Sequence, residues 1–285
     1  MRKKFFEVEM SQRAMLCPRC RRLIGSSESS CSWCGTPRPK GLWRISAWTR
    51  GALDGDWLVK AIITANIAFY LLSLLMGGLQ PTGNPFSMLS PNQTGLMLMG
   101  ATGTIPIDRF GRLWSLVSAN YLHGGILHIF FNLMALRQIS PWVIQEYGSS
   151  RMFIIYTLGG VCGFWVSYIV GVPFTIGASA AICGLIGALL YFGKSRGGTY
   201  GAAVYREVSG WVVGLVLFGL VMPGINNWGH GGGILGGIVL GKLLGYGERR
   251  RENSFHHLLA LICAVTTIAV LGWAAFTAVM IKGGS

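Results

Sequence analysis

Polar and apolar positions divide this chain into a charged head and a long apolar remainder. Residues 1–58 are polar and basic, with 11 Lys/Arg against 5 Asp/Glu. Beyond Lys60 no Asp, Glu, Lys or Arg occurs in 61–107, 113–136, 152–193, 208–241 or 253–281. A helix needs about 20 predominantly apolar residues to cross a bilayer, so each gap has room for one or two spans. The first predicts a helix from about Val59 to Met76, then a Gly/Pro/Asn-rich loop to about Phe110. The gap 113–136 predicts one more. The gap 152–193 is too long for one span and is broken at Gly171-Val172-Pro173; 208–241 breaks in the same way at Met222-Pro223-Gly224. Each predicts two helices, and 253–281 adds the last, so the pattern predicts seven transmembrane helices.

Composition agrees. Of 285 residues, 52% are hydrophobic and only 12% charged, whereas soluble domains carry about 25% charged residues. The net charge of +14 raises nucleic acid as a partner, but the basic residues are spread over termini and short loops and form no single basic-aromatic face. Specific nucleic-acid binding is therefore not expected. Orientation in a membrane explains the charges better: a cytoplasmic N-terminus puts all Lys/Arg inside except Arg109, Arg112 and Lys282. No uninterrupted apolar stretch follows the N-terminus as a secretory signal requires. The expectation is an integral protein of the plasma (inner) membrane, with the bilayer itself as a partner.

The head carries Cys17-Pro18-Arg19-Cys20 and, ten residues on, Cys31-Ser32-Trp33-Cys34-Gly35. Each C-x-x-C can aim two thiolates at one ion, and two such knuckles make a closed tetrahedral site suited to Zn²⁺. Two disulfides or idle thiols are the plainer alternative, disfavoured in a reducing cytoplasm. Four thiolates leave no open coordination position, so this zinc is structural, and catalysis is expected to need no cofactor. The expected organisation is a zinc-ribbon-like domain over 1–40 with a cytoplasmic protein partner, a basic linker over 41–58, a membrane core over 59–245, and a seventh span with the C-terminus over 246–285.

In that topology the second, fourth and sixth helices all enter from outside. They carry His128 and Asn132, Ser179, and His230 respectively, in their outer parts. His128 and Asn132 are spaced i, i+4 and share one helix face. Ser179 follows the break at Pro173, which places it in the first turn of its helix, where backbone N–H groups lack partners and favour an anion. Gly229, Gly233, Gly237 and Gly241 recur every fourth residue, so the sixth helix can approach a neighbour closely and bring His230 to Ser179. Taken singly, each residue has a bland alternative: interhelical glue for His128 or Asn132, and a bond back to its own helix for Ser179. Four polar groups converging in the outer leaflet point to function. His123 reads as structural, and His256 and His257 are expected to reach lipid headgroups.

The sequences His123-x4-His128-x3-Asn132, Gly177-x-Ser179, and Gly229-His230 followed by spaced glycines resemble the signature of the rhomboid intramembrane serine proteases. The resemblance spans about residues 57–245. It implies an all-α polytopic membrane protein with a six-helix rhomboid bundle, plus a seventh helix as in the six-plus-one variety. It further implies a catalytic dyad of Ser179 and His230, with His128 and Asn132 helping to bind the oxyanion. Glu146, Arg151 and Tyr156 fit the family's connection into the third helix. The implied substrates are single-span transmembrane proteins, cleaved near the outer leaflet.

The acids are consistent with a dyad: none lies in a predicted span, and only Asp108 falls outside, in a loop. Three positions depart from the family pattern. Ala180 replaces the usual Gly, Ser115 follows Trp114 where Arg is usual, with Arg112 nearby, and Cys183 stands where an aromatic usually packs on the histidine. Restoring an aromatic with Cys183→Tyr is expected to preserve or raise cleavage. The alternative function is a non-catalytic rhomboid-like protein that binds membrane clients and uses its zinc ribbon as an adaptor.

Overall fold

The computed structural model describes residues 15–16, 23–24, 28, 30–32, 35, 55–80, 88–222 and 224–283. The chain divides into two compact units, Met1–Ala52 and Leu53–Ser285. In the first, strands β1 (Met15–Leu16) and β2 (Leu23–Ile24) pair antiparallel, Met15 opposite Ile24. The residues between them include Cys17 and Cys20. Cys31 is buried, and its carbonyl accepts a hydrogen bond from the Gly35 N–H at 2.9 Å, with Gly35 at φ 68°. Cys17, Cys20, Cys34 and most of the 41–58 linker lie outside the described residues.

The second unit contains, among the described residues, seven helices of 18 residues or more: α1 (Gly55–Gly77), α2 (Ile126–Tyr147), α3 (Ser149–Ile169), α4 (Ser179–Arg196), α5 (Gly198–Val221), α6 (Asn227–Leu244) and α7 (Ser254–Gly283). Four of them, α1, α3, α5 and α7, are long and apolar enough to cross a membrane. Outward-facing apolar side chains such as Val213, Leu217, Leu220 and Val221 on α5, and Leu261, Val265 and Ile268 on α7, are exposed. So much exposed apolar surface belongs in lipid, and the chain is an integral membrane protein.

Helix α1 starts earlier than the apolar pattern predicts. Asp56 sits in its first turn, where a carboxylate suits the helix dipole, and pairs with Lys60 at 2.6 Å on the exposed side. Its inner stripe is Val59, Ile62, Asn66, Phe69, Tyr70 and Ser73. The second helix differs more from expectation, since α2 begins only at Ile126 and continues past Arg137 to Tyr147. Gly125 at φ 155° interrupts the chain before it. Residues 115–121 instead form a short helix and a 3-10 turn that belong to the preceding connection.

That connection is a packed layer. Asn92 caps the short helix Gln93–Leu98 by accepting from the Gly95 N–H at 2.8 Å, and its amide donates to the Gly77 carbonyl at the end of α1. Ser118 Oγ donates to the Gly100 carbonyl at 2.7 Å, and Ser115 Oγ to Thr102 Oγ1 at 2.9 Å. Asn120, Tyr121, Leu122 and His123 are all buried. Ser115, Ser118 and the Asn120 amide nitrogen find partners inside the layer, whereas Asn120 Oδ1 and both His123 ring nitrogens have none among the described residues.

Behind it, α3, α4 and α6 pack through glycine. A Cβ at Gly184 would lie 3.0 Å from Gly159 Cα, one at Gly163 would lie 3.2 Å from the Gly233 N, and one at Gly237 would overlap the Gly184 carbonyl. The four-residue glycine repeat therefore does what its spacing predicts: it removes the side chains that would hold α6 away from α4. At the far end Tyr147 Oη donates to the Ala188 carbonyl at 2.8 Å, beside Gly241. There α3 is closed by the segment after α6. Glu252 accepts from the Arg151 N–H at 3.0 Å, and the Arg151 guanidinium donates to the Tyr147 and Arg250 carbonyls. His256 is buried and His257 Nδ1 lies 2.8 Å from Ser150 Oγ. These two histidines engage the protein, contrary to the expectation that they reach headgroups, because the turn from α6 into α7 folds back over the α3 N-terminus.

Candidate active site

The N-terminal turns of α2, α4 and α6 come together. The loop before α4 is stitched to the packed layer by a two-way bridge between Thr102 and Thr175, with N–H to carbonyl distances of 3.1 and 2.7 Å. Gly177, at φ 128°, donates its N–H to the Ala119 carbonyl at 2.9 Å. This delivers Ser179 as the first residue of α4. The helix is preceded by Ala178, whose side chain offers no cap. Its first-turn N–H groups therefore have no intrahelical acceptor and remain available to an anion.

Ser179 Oγ lies 2.9 Å from His230 Nε2, on the first turn of α6. The hydroxyl bonds across to another helix, which removes the bland reading of a serine tied to its own backbone. His230 is buried, and its Nδ1 has no hydrogen-bond partner among the described residues. Asp108 is far from this role: it is exposed and accepts from Tyr168 Oη at 2.8 Å. Glu146 is at the other end of α2, accepting from Tyr200 Oη at 2.6 Å.

His128 faces the same place. The Gly124 N–H donates to its Nδ1 at 3.2 Å, which leaves the ring proton on Nε2. A Cβ built on Gly177 would lie 2.9 Å from that Nε2 and 3.6 Å from Ser179 Oγ. An N–H donor thus points into the space that the missing Gly177 side chain leaves beside the hydroxyl. Asn132, one turn further along α2, is buried and donates one amide hydrogen to the His128 carbonyl at 2.8 Å, which leaves its second N–H unspent. His123 is fully buried with its ring edge-on to His128 at 5.1 Å between centroids.

The departures from the family pattern fall around this centre. Cys183 is buried, and a Cβ at Gly233 would lie 3.0 Å from its Cβ, so α6 passes close to this side chain. Arg112 lies 5.8 Å from the Trp114 ring and 5.6 Å from Phe110, and donates to the Met97 carbonyl at 2.6 Å. It braces the packed layer. One functional-site neighbour escaped the sequence reading: Asn226, whose side chain accepts from the Gly229 N–H at 2.9 Å. An Asn just before an apolar helix is a recognisable N-cap signal.

Comparison with known proteins gives the same direction. Residues 111–247 match the rhomboid domain. The chain is 27% identical over 225 residues to RHOMBOID-like protein 4 of Arabidopsis thaliana, covering 73% of this chain and 56% of that protein. It is 33% identical over 156 residues to the rhomboid protease GluP of Bacillus subtilis (strain 168), covering 55% of this chain and 31% of GluP. It is also 29% identical over 151 residues to the inactive RHOMBOID-like protein 8 of Arabidopsis thaliana, covering 52% of this chain and 43% of that protein. The chain thus spans about half or less of the length of these three relatives. The domain match and these relatives support the rhomboid family for this chain.

Proposed function

We propose that this protein is a rhomboid-type intramembrane serine endopeptidase that cleaves single-span membrane proteins near the outer leaflet. The observation that carries this reading is the 2.9 Å approach of Ser179 Oγ to His230 Nε2. His230 takes the hydroxyl proton as Oγ attacks the scissile carbonyl, and the resulting oxyanion is held by the α4 amides, His128 Nε2–H and Asn132. The imidazolium then gives its proton to the leaving amine. Water, deprotonated by the same ring, releases the acyl group. No carboxylate is needed to orient His230, in keeping with its unpartnered Nδ1.

The three helices that bear the site carry glycine and polar residues that serve the bundle interior; with them the chain spans the membrane seven times. The uneven distribution of Lys and Arg supports a cytoplasmic N-terminus and residence in the plasma (inner) membrane. In the first unit, the hairpin flanking Cys17 and Cys20 and the tight turn closing at Gly35 fit a ribbon. Cys17, Cys20, Cys31 and Cys34 would hold one structural Zn²⁺, which ties the two knuckles together and offers a surface to a cytoplasmic protein.

A relative named as inactive keeps a client-binding reading in view, and one experiment separates the two. A serine-reactive fluorophosphonate should label the detergent-purified protein and fail to label Ser179→Ala. Ser179→Ala and His230→Ala should each reduce cleavage of a transmembrane substrate to background, and the double variant should lose no more than either. Asn132→Ala should retain measurable cleavage, since one oxyanion donor contributes about 2.7–4 kcal/mol and others remain. Cleavage by Ser179→Ala would sink the protease reading.

A further inference from the structure

Asn226 does more than cap α6. Its amide nitrogen donates to Ser167 Oγ on α3 at 2.7 Å and to Thr175 Oγ1 in the loop before α4 at 2.9 Å, while its oxygen accepts from the Gly229 N–H. Ser167 in turn donates to the Gly163 carbonyl at 3.0 Å. Both amide hydrogens and the oxygen are thus engaged, on three separate elements. A Cβ at Gly229 would lie 2.9 Å from the Asn226 amide nitrogen and 3.1 Å from Ser167 Oγ. Glycine at 229 therefore leaves room for the amide to sit between α3 and α6.

The two reacting side chains stand on elements that share no covalent neighbourhood: Ser179 lies four residues after Thr175, and His230 four residues after Asn226. We infer that Asn226 is a positioning residue that sets the Ser179–His230 distance by fastening the first turn of α6 to the loop that delivers the serine. The catalytic consequence rests on the protease reading of this site, but the alignment does not. A proton acceptor displaced by about 1 Å can cost on the order of 100-fold in rate, so a clamp with three anchors one turn away has a large effect to exert. Asn226 itself transfers no proton, since its amide has no free acid or base.

The test uses the full chain with Ser179→Cys, and follows alkylation of the introduced thiol by iodoacetamide with peptide-resolved mass spectrometry. His230 promotes the thiolate there, and adding His230→Ala sets the floor. Asn226→Ser keeps a helix cap but is too short to reach Ser167 and Thr175. It should slow alkylation about tenfold or more toward that floor and move the pH profile upward, with the melting midpoint little changed. Parental rate and profile in Asn226→Ser would overturn the proposal. If Asn226→Ser melts early, Thr175→Val decides, because it removes one anchor and leaves the cap: a slowed reaction upholds the clamp, and a parental rate refutes it. An alkylation rate indifferent to His230 would also refute it, as there would be no alignment to hold. If the unmodified chain cleaves nothing while alkylation still depends on His230 and Asn226, the protease reading fails and the positioning role stands.

Discussion

Helices α6 and α7 are both rich in apolar and small residues, yet they put them to opposite uses. Along α6 the buried residues are Gly229, His230, Gly232, Gly233, Gly237, Gly241 and Leu244, nearly all backbone. Along α7 the outward positions Leu258, Leu261, Val265, Ile268 and Trp273 are exposed. One helix presents a bare backbone to its neighbours so that His230 can come within reach of Ser179; the other presents side chains to lipid. In a membrane, apolarity carries little information about packing, because lipid tails are as apolar as leucine. Missing side chains and isolated polar groups carry most of it.

Glycine substitutions should sharpen that contrast most. A Cβ at Gly237 meets the Gly184 carbonyl, whereas one at Gly272 on α7 meets nothing within 4 Å. Overpacking costs about 1–3 kcal/mol, and more where backbone must move. Gly237→Ala should therefore lower the melting midpoint in detergent by about 3–10 °C, given roughly 2–4 °C per kcal/mol for a domain of this size. Gly272→Ala should leave it unchanged or slightly raised, as alanine is the better helix former. Equal shifts from the two would mean that α6 and α7 are packed alike.

A smaller effect tests the wall behind the site. From the sequence alone an aromatic at 183 is expected to steady His230, but Cys183 is 1% exposed and its Cβ faces Gly233. A tyrosine adds a ring to a side chain that is already buried beside α6, so its neighbours have to give way. Cys183→Tyr should lower the melting midpoint by about 2–8 °C and reduce cleavage with it. Unchanged melting with faster cleavage would restore the original expectation and show that the α4–α6 contact yields more easily than its glycines suggest.

The difference between the two helices also explains what the sequence reveals. Helices α1 and α7 are legible as nearly charge-free runs, α5 only beyond the Arg206 and Glu207 that it contains, and the glycine repeat of α6 announces a close approach. Ser179, His230, His128 and Asn132 stand out because a polar group in an apolar helix needs a reason to be there. The start of α2 is not legible: the residues before Gly125 are as free of charge as those after it, and only their burial in a packed layer makes them a separate piece. The Asn226 clamp is half legible. Its cap follows from position, but its bonds to Ser167 and Thr175 join residues more than 50 apart in sequence, and no local pattern encodes such a pairing. His256 and His257 mislead for a related reason, since a histidine at a helix end looks the same whether it meets headgroups or Ser150.

The smallest expected effect concerns the first unit. The candidate site and its supporting hydrogen bonds, from Thr102 through His230, all lie in the second unit. A four-thiolate zinc site is coordinatively closed, so it can neither bind a substrate carbonyl nor activate water. Deleting residues 1–50 should therefore leave the rate of cleavage of a reconstituted substrate within about twofold of the full chain, a difference below 0.5 kcal/mol. Zinc content measured by atomic absorption should fall from one ion per chain to none in the same variant, and in Cys17→Ser with Cys34→Ser. A strong loss of cleavage in a deletion variant that still inserts and melts normally would show that the ribbon bears on the Ser179–His230 pair. A full chain that purifies without zinc under reducing conditions would remove the ribbon and leave the site in the second unit untouched.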